Sequence, residues 1–201
     1  MALEVQGITA GYGPVTVLRG VDFRAEAGQI TCLVGESGSG KTTLARTIAG
    51  LVDLHAGTME MKGVALPGRI EDRSLNARRR LQYIHQLPDL ALNPRQTVRE
   101  IVGRPLAKFG GLRGAAMEAR LRELMRDVEL PEGFLDRVPG SLSGGQKQRI
   151  CIARALAAEP EVLICDEVTS ALDPLVEESV IKLLLRLMAE RPLTMLFITH
   201  N

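Results

Sequence analysis

The segment Gly35-Glu36-Ser37-Gly38-Ser39-Gly40-Lys41-Thr42 constrains this chain more than any other. Two glycines bracket four residues ahead of a Lys-Thr pair, the pattern of a loop that wraps backbone N–H groups around phosphates. The loop needs a strand before it and a helix after it, and both are legible. Ile30 to Val34 is a short apolar run, and Leu44, Ile48 and Leu51 follow on one side of a helix. This is the first strand–loop–helix unit of an α/β domain. Lys41 is placed to reach the β- and γ-phosphates of a nucleotide, and the Thr42 hydroxyl to ligate Mg²⁺. The motif alone indicates nucleotide binding and leaves the activity open.

The rest of the chain must fit around that unit. At 201 residues and 45% hydrophobic, it suits one globular domain with a sizeable core and an inserted subdomain. A net charge of +1 gives no electrostatic reason to expect nucleic acid as the main partner. No apolar run approaches the ~20 residues needed to cross a bilayer; the longest candidates are segments such as Pro192 to Thr199. Met1 is not followed by a basic and then apolar opening, so no signal peptide is expected. The reading is a soluble, intracellular chain. The three cysteines, Cys32, Cys151 and Cys165, sit in apolar runs and are expected to be buried small hydrophobes.

Short β-type runs open the chain: Leu3 to Val5, Val15 to Leu18, Val21 to Arg24 and Ile30 to Val34. Glycines at 7, 11, 13, 20 and 28 punctuate them as turns. From about Leu87 to Ser141 the pattern is helix and loop. Met117, Leu121, Leu124, Met125 and Val128 recur there at helical spacing among charged residues, as on an amphipathic surface helix. The α/β pattern then resumes with a buried strand at Val162 to Cys165, a helix at Val176 to Met188 and a strand at Thr194 to Thr199. Arg78-Arg79-Arg80 reads as a solvated face.

Two further segments carry chemistry. Val162-Leu163-Ile164-Cys165-Asp166-Glu167 ends an apolar strand on two carboxylates. Asp166 is placed to hold Mg²⁺, usually through water, and Glu167 to orient and deprotonate an attacking water. Leu142-Ser143-Gly144-Gly145-Gln146 pairs a helix-capping serine with two glycines that leave helical N–H groups open to an anion. Lys147 and Arg149 follow at once. This is a second phosphate-recognition site, and whether one polypeptide can use both sites on one nucleotide stays open.

Leu142 to Gln146 is identical to the signature motif of the ABC ATPases, and the family's other motifs appear in order. Tyr12 resembles the aromatic residue that stacks on adenine. Gln86 resembles the Q-loop glutamine that touches Mg²⁺ and senses the membrane partner. Ser170-Ala171-Leu172-Asp173 looks like the D-loop, and His200 like the switch histidine that contacts the γ-phosphate. Within the family, Ala91 to Val98 and Gly103-Arg104-Pro105-Leu106 resemble the ATPases of dipeptide, oligopeptide and nickel importers. Val168 stands where many relatives have proline.

The resemblance implies an α/β fold with a P-loop core, an N-terminal antiparallel β subdomain and an inserted α-helical subdomain, the C-terminal end being truncated. Residues 1–86 and 147–201 would form the α/β core with its β subdomain. Residues 87–146, including the signature, would form the helical subdomain. It further implies ATP bound by Tyr12 and by Gly35 through Thr43, with Mg²⁺ held by Thr42, Gln86 and Asp166. Glu167 and His200 would be the catalytic pair. Two subunits, identical or related, would sandwich ATP, each offering Leu142 to Gln146 in trans. Permease subunits in the membrane and, indirectly, a substrate-binding protein would be the other partners, with the ATPase on the cytoplasmic face of the inner membrane. Soluble relatives acting on DNA or ribosomes are a rival class, but the chain lacks their long coiled coil or second domain. A non-hydrolysing ATP-binding fragment is a second rival, and a small P-loop kinase a remote third.

Overall fold

The computed structural model describes residues 1–200. Among the described residues there are eight strands and seven α-helices. The strands are β1 (Leu3–Tyr12), β2 (Val15–Ala25), β3 (Ile30–Val34), β4 (Asp53–Met61), β5 (Val64–Ala65), β6 (Leu81–Ile84), β7 (Val162–Asp166) and β8 (Thr194–Thr199). The helices are α1 (Lys41–Ala49), α2 (Leu75–Arg80), α3 (Pro88–Ala91), α4 (Val98–Gly110), α5 (Gly114–Asp127), α6 (Gly144–Leu156) and α7 (Pro174–Glu190). The chain forms two compact units. One holds Met1–Tyr83, Glu161–Glu167 and residues 191 onward; the other holds Ile84–Pro160 and Val168–Glu190.

The first unit contains two sheets. An antiparallel sheet has the order β2-β1-β4-β5, and a second sheet has the order β3-β8-β7-β6, with β8 parallel to both β3 and β7. Their apolar faces share one core with α1, built from Leu3, Ile8, Leu44, Ile48, Met59, Met61, Ile164, Leu196 and Ile198 among others. The N-terminal runs are longer than the sequence spacing suggests. Val15 to Leu18 and Val21 to Arg24 are one strand, and Gly7, Gly11 and Gly20 lie inside strands rather than in turns. Gly7 and Gly20 take φ of 59° and 63°, and the β1–β2 register shifts between Val5 and Ile8 and between Ile8 and Ala10. These glycines absorb β-bulges, which leave a strand bent and unbroken.

Three other expectations are corrected. Leu51 lies beyond the end of α1, where Gly50 stops the helix at φ 79°, and is half exposed. Cys32 is exposed, because β3 is the edge strand of its sheet; Cys151 and Cys165 are buried as expected. Burial pushes the Cys151 thiol up to about 11. The Arg78–Arg80 run is no solvated face. Arg80 grips Glu161 with two hydrogen bonds of 2.6 and 3.0 Å, and Arg78 donates to the carbonyls of Arg73 and Glu71. Arg80, with help from Lys62, holds the Glu161 carboxyl down at about 2.

The second unit is helical. Helix α5 buries Leu121, Leu124 and Met125 on one face, the stripe expected from its periodicity. Helix α4 starts on a full capping box between Thr97 and Glu100 and carries Val98, Ile101, Val102 and Leu106 inward. Helix α6 packs on α3, α4, α5 and α7, so α6 and α7 cluster with the helical elements. The compact units therefore divide the chain at other points than the sequence boundaries at 86/87 and 146/147. Among the described residues no helix is long and apolar enough to cross a membrane.

Candidate functional site

In the first unit, the phosphate-loop segment leaves the end of β3 and enters α1 directly. Gly38 and Gly40 hold φ of 83° and 95°, which bends the backbone inward without steric cost. Helix α1 begins at Lys41 with Gly40 as its cap and no side chain on its first N–H groups. Those donors, and the positive end of the helix dipole, are presented to an anion. The Lys41 ammonium, 7% exposed, donates to the carbonyls of Gly35 and Glu36 at 2.7 and 2.8 Å. It sits within the curve of the loop. Thr43 is buried beneath it, while Glu36, Ser37 and Ser39 line the open side.

The loop meets the carboxylates at Thr42. Its hydroxyl donates to Asp166 Oδ1 at 3.0 Å, and Asp166 is only 1% exposed at the end of β7. The second oxygen, Oδ2, accepts from the Tyr83 hydroxyl at 2.5 Å. Burial, and then this bond to Asp166, raises the Tyr83 phenol above its ordinary pKa. Arg46 Nε in turn donates to the Tyr83 hydroxyl at 3.4 Å. Hydrogen bonds to Tyr83 first, and then to Tyr12, raise the Arg46 pKa against the opposing effect of burial. The Tyr12 ring, near the turn between β1 and β2, is 47% exposed.

Glu167, the residue after β7, takes φ 47°, a left-handed conformation uncommon for a residue other than glycine, asparagine or aspartate. Its N–H donates to Ile198 O at 3.1 Å, which fixes that turn at the strand end. His200 Nδ1 lies 3.6 Å from Glu167 Oε1, with the imidazole about half exposed. Backbone strain of this kind concentrates at functional sites. The first unit thus brings together the phosphate loop, Asp166, Glu167 and His200, and it also carries Tyr12.

The second unit holds the other motifs. Ser143 caps α6: its hydroxyl accepts from Gln146 N–H at 3.4 Å, and Gln146 Oε1 accepts from Ser143 N–H at 2.9 Å. Leu142 is buried beneath the cap, and Ser143 and Gly144 are exposed. The two glycines differ. A Cβ at Gly144 would meet Leu172 at an ordinary 3.7 Å, whereas one at Gly145 would lie 2.4 Å from Val176 Cγ1. Gly145 therefore serves the packing of α6 against α7.

The cations after the signature do not join an anion site. Lys147 is spent on Asp89 at 2.6 Å, and Arg149 on Val128 O, Glu129 and Ser179. The Ser170–Asp173 turn is anchored at both ends: Leu172 N–H donates to Thr169 O, and Asp173 Oδ1 accepts from Val176 N–H at 3.1 Å. Ser170 and Ala171 are exposed on it. Gln86 Nε2 donates to Ser170 Oγ at 3.1 Å, so two motifs far apart in the chain meet within this unit.

Tyr83 and Arg46 escaped the sequence reading. The signal was present: a phenol in a short, otherwise aliphatic strand needs a hydrogen-bond partner when it packs inward.

Residues 18–170 match the profile of the family described as ABC transporter. The chain belongs to that family. It is 42% identical over 187 residues to the nickel import ATP-binding protein NikE of Brucella suis biovar 1, covering 92% of this chain and 70% of that protein. It is also 42% identical over 189 residues to a putative peptide import ATP-binding protein of Brucella abortus, covering 92% of this chain. The match spans only 57% of that second relative. Among solved structures it is similar to the dimeric ATP-binding cassette MJ0796 in a post-hydrolysis state bound to ADP and Pi. That match has a TM-score of 0.86 at 29% identity and covers 99% of this chain and 88% of the other. Fold and family are therefore those of an ABC ATPase.

Proposed function

We propose that this ABC ATPase hydrolyses ATP at a site built from Tyr12, Gly35 through Thr43, Asp166, Glu167 and His200. The observation that carries this is the junction of loop and strand end. Thr42 bonds Asp166 at 3.0 Å, and the Glu167–His200 pair stands one residue further on. Lys41 and the N–H groups of the loop hold the β- and γ-phosphates, and Tyr12 stacks on adenine. Glu167 takes the proton of the attacking water, and His200 contacts the γ-phosphate. Catalysis is then positioning plus electrostatics.

Mg²⁺ fits these residues, since a hydroxyl and a carboxylate side by side are the hard oxygen donors it prefers. Thr42 and Asp166 would hold it. Bound there, the ion would neutralise charge on the phosphate oxygens.

Two subunits, identical or related, would complete the assembly. Leu142 to Gln146 of each would face the nucleotide held by its partner, with Ser170 to Asp173 alongside. Ser143 and the glycine N–H groups form a neutral donor set with no cation of its own, which supports its use on a nucleotide held elsewhere. Opening and closing of the sandwich would drive permease subunits, with the ATPase on the cytoplasmic face of the membrane and a binding protein delivering cargo. The names of the nickel- and peptide-import relatives support peptide or nickel import as the work performed.

Glu167→Gln tests the hydrolytic assignment. Turnover should fall about 10²- to 10⁴-fold, while ATP stays bound in a long-lived dimer. Near-normal hydrolysis in that variant would sink it.

A further inference from the structure

Asp166 is held from two sides. Thr42 occupies Oδ1 and Tyr83 occupies Oδ2, and the carboxylate is nearly closed to solvent. The direction of each bond is fixed by chemistry. A guanidinium has no acceptor, so the hydrogen bond between Arg46 Nε and the Tyr83 oxygen must run from Arg46. The phenol's single proton is therefore free to point at Asp166. Thr42 and Arg46 are four residues apart on α1 and lie on one face of it. One helix face thus supplies the donor to Oδ1 and the support for the donor to Oδ2. Strand β6, which carries Tyr83, neighbours β7, which ends on Asp166.

We propose that Tyr83 is a positioning residue of the hydrolytic site. Its hydroxyl, steadied by Arg46, locks the Asp166 carboxylate against rotation in the orientation that receives the metal–nucleotide. Thr42 alone cannot do this. One hydrogen bond leaves the carboxylate free to pivot about Cβ–Cγ, and two bonds to its two oxygens do not. The Thr42 oxygen keeps lone pairs for an ion while its own proton stays directed at Asp166 Oδ1, so both clamps persist in the loaded state. The inference rests on the reading of Asp166 as the metal-facing carboxylate.

Tyr83→Phe removes one oxygen and keeps the ring. The measurement is the affinity of a fluorescent ATP analogue in Mg²⁺ and in EDTA, together with the thermal midpoint. Affinity in EDTA and the midpoint should stay near wild type, while the enhancement by Mg²⁺ should fall about tenfold, or ~1.4 kcal/mol. Arg46→Lys keeps the charge, loses the Nε donor and should show a smaller loss of the same kind. Asp166→Asn is the control and should abolish the enhancement. An unchanged Mg²⁺ enhancement in Tyr83→Phe, with Asp166→Asn defective, overturns the proposal and spares the site. Parallel losses in Mg²⁺ and EDTA with a lowered midpoint also overturn it, because Tyr83 is then only a structural partner. An Asp166→Asn variant that keeps the enhancement removes the site reading and the proposal with it.

Discussion

The starts of α1 and α6 solve the same problem in opposite ways. Both helices leave N–H groups open to an anion, α1 after a glycine-rich loop and α6 with two glycines in its own first turn. At α1 the cap is Gly40, the cation Lys41 is folded into the loop, and a carboxylate stands 3.0 Å from the next residue. At α6 the cap is a serine in a full capping box, and the nearby cations are consumed by Asp89 and Glu129. The first start carries its own charge chemistry. The second is a neutral cradle, and its cations hold its own unit together. A helix N-terminus is thus no more than half a phosphate site; neighbouring side chains decide whether it can work alone.

The glycines sharpen this contrast. Gly145→Ala would push a Cβ to 2.4 Å from Val176 Cγ1 and should destabilise the chain by about 1–3 kcal/mol. Gly144→Ala has ordinary room and should leave the thermal midpoint close to wild type while weakening hydrolysis. Val176→Ala should restore much of the stability lost in Gly145→Ala. Equal midpoints for the two glycine variants would show that both glycines serve the anion alone.

Tyr12 separates base recognition from phosphate recognition. Tyr12→Ala should weaken ATP and ADP alike, by roughly 1–3 kcal/mol if the ring stacks on adenine. Titration with both nucleotides checks it. Unchanged affinities would rule out stacking on adenine.

The smallest expected effect lies away from either helix start, in the cluster of Arg80, Lys62 and Glu161. Glu161 is depressed from 4.5 to about 2 in the folded chain, chiefly by Arg80. Its contribution is therefore full above pH ~4.5 and is lost as pH falls toward 2. Arg80→Met should cost about 1 kcal/mol at neutral pH, and its deficit against wild type should shrink across that acid window. Thermal melts from pH 7 to 3 measure this, and a deficit independent of pH would assign Arg80 a packing role.

The candidate phosphate-binding elements were legible because they combine rare spacing with the right flanks. Gly35 to Thr42 follows an apolar run, and Ser143 precedes two glycines and an apolar helix. Asp166 and Glu167 were legible as the end of a buried strand. What stayed hidden depends on partners distant in the chain. Nothing beside Arg80 announces Glu161, and nothing beside Lys147 announces Asp89, so both cations looked available. Gly7 and Gly20 looked like turns because a bulge and a turn ask the same φ of the backbone. Cys32 looked buried because its neighbours are apolar, and only the strand order reveals that β3 is an edge.

We propose that the cradle at Ser143 serves a nucleotide held by Lys41 of another subunit. Lys41→Ala keeps a working cradle, and Ser143→Arg keeps a working phosphate loop. Each variant alone should be nearly inactive, since both of its sites are defective. Mixed, they form a heterodimer with one intact site, and hydrolysis should return. Activity per mole should also rise with protein concentration while dimers are sparse. The measurement is ATPase activity of the two variants, apart and mixed, over a concentration series. No gain on mixing, with activity per mole of the unmutated chain constant in a verified monomer, would overturn the shared site and place Lys41 and Ser143 on one nucleotide within a single chain.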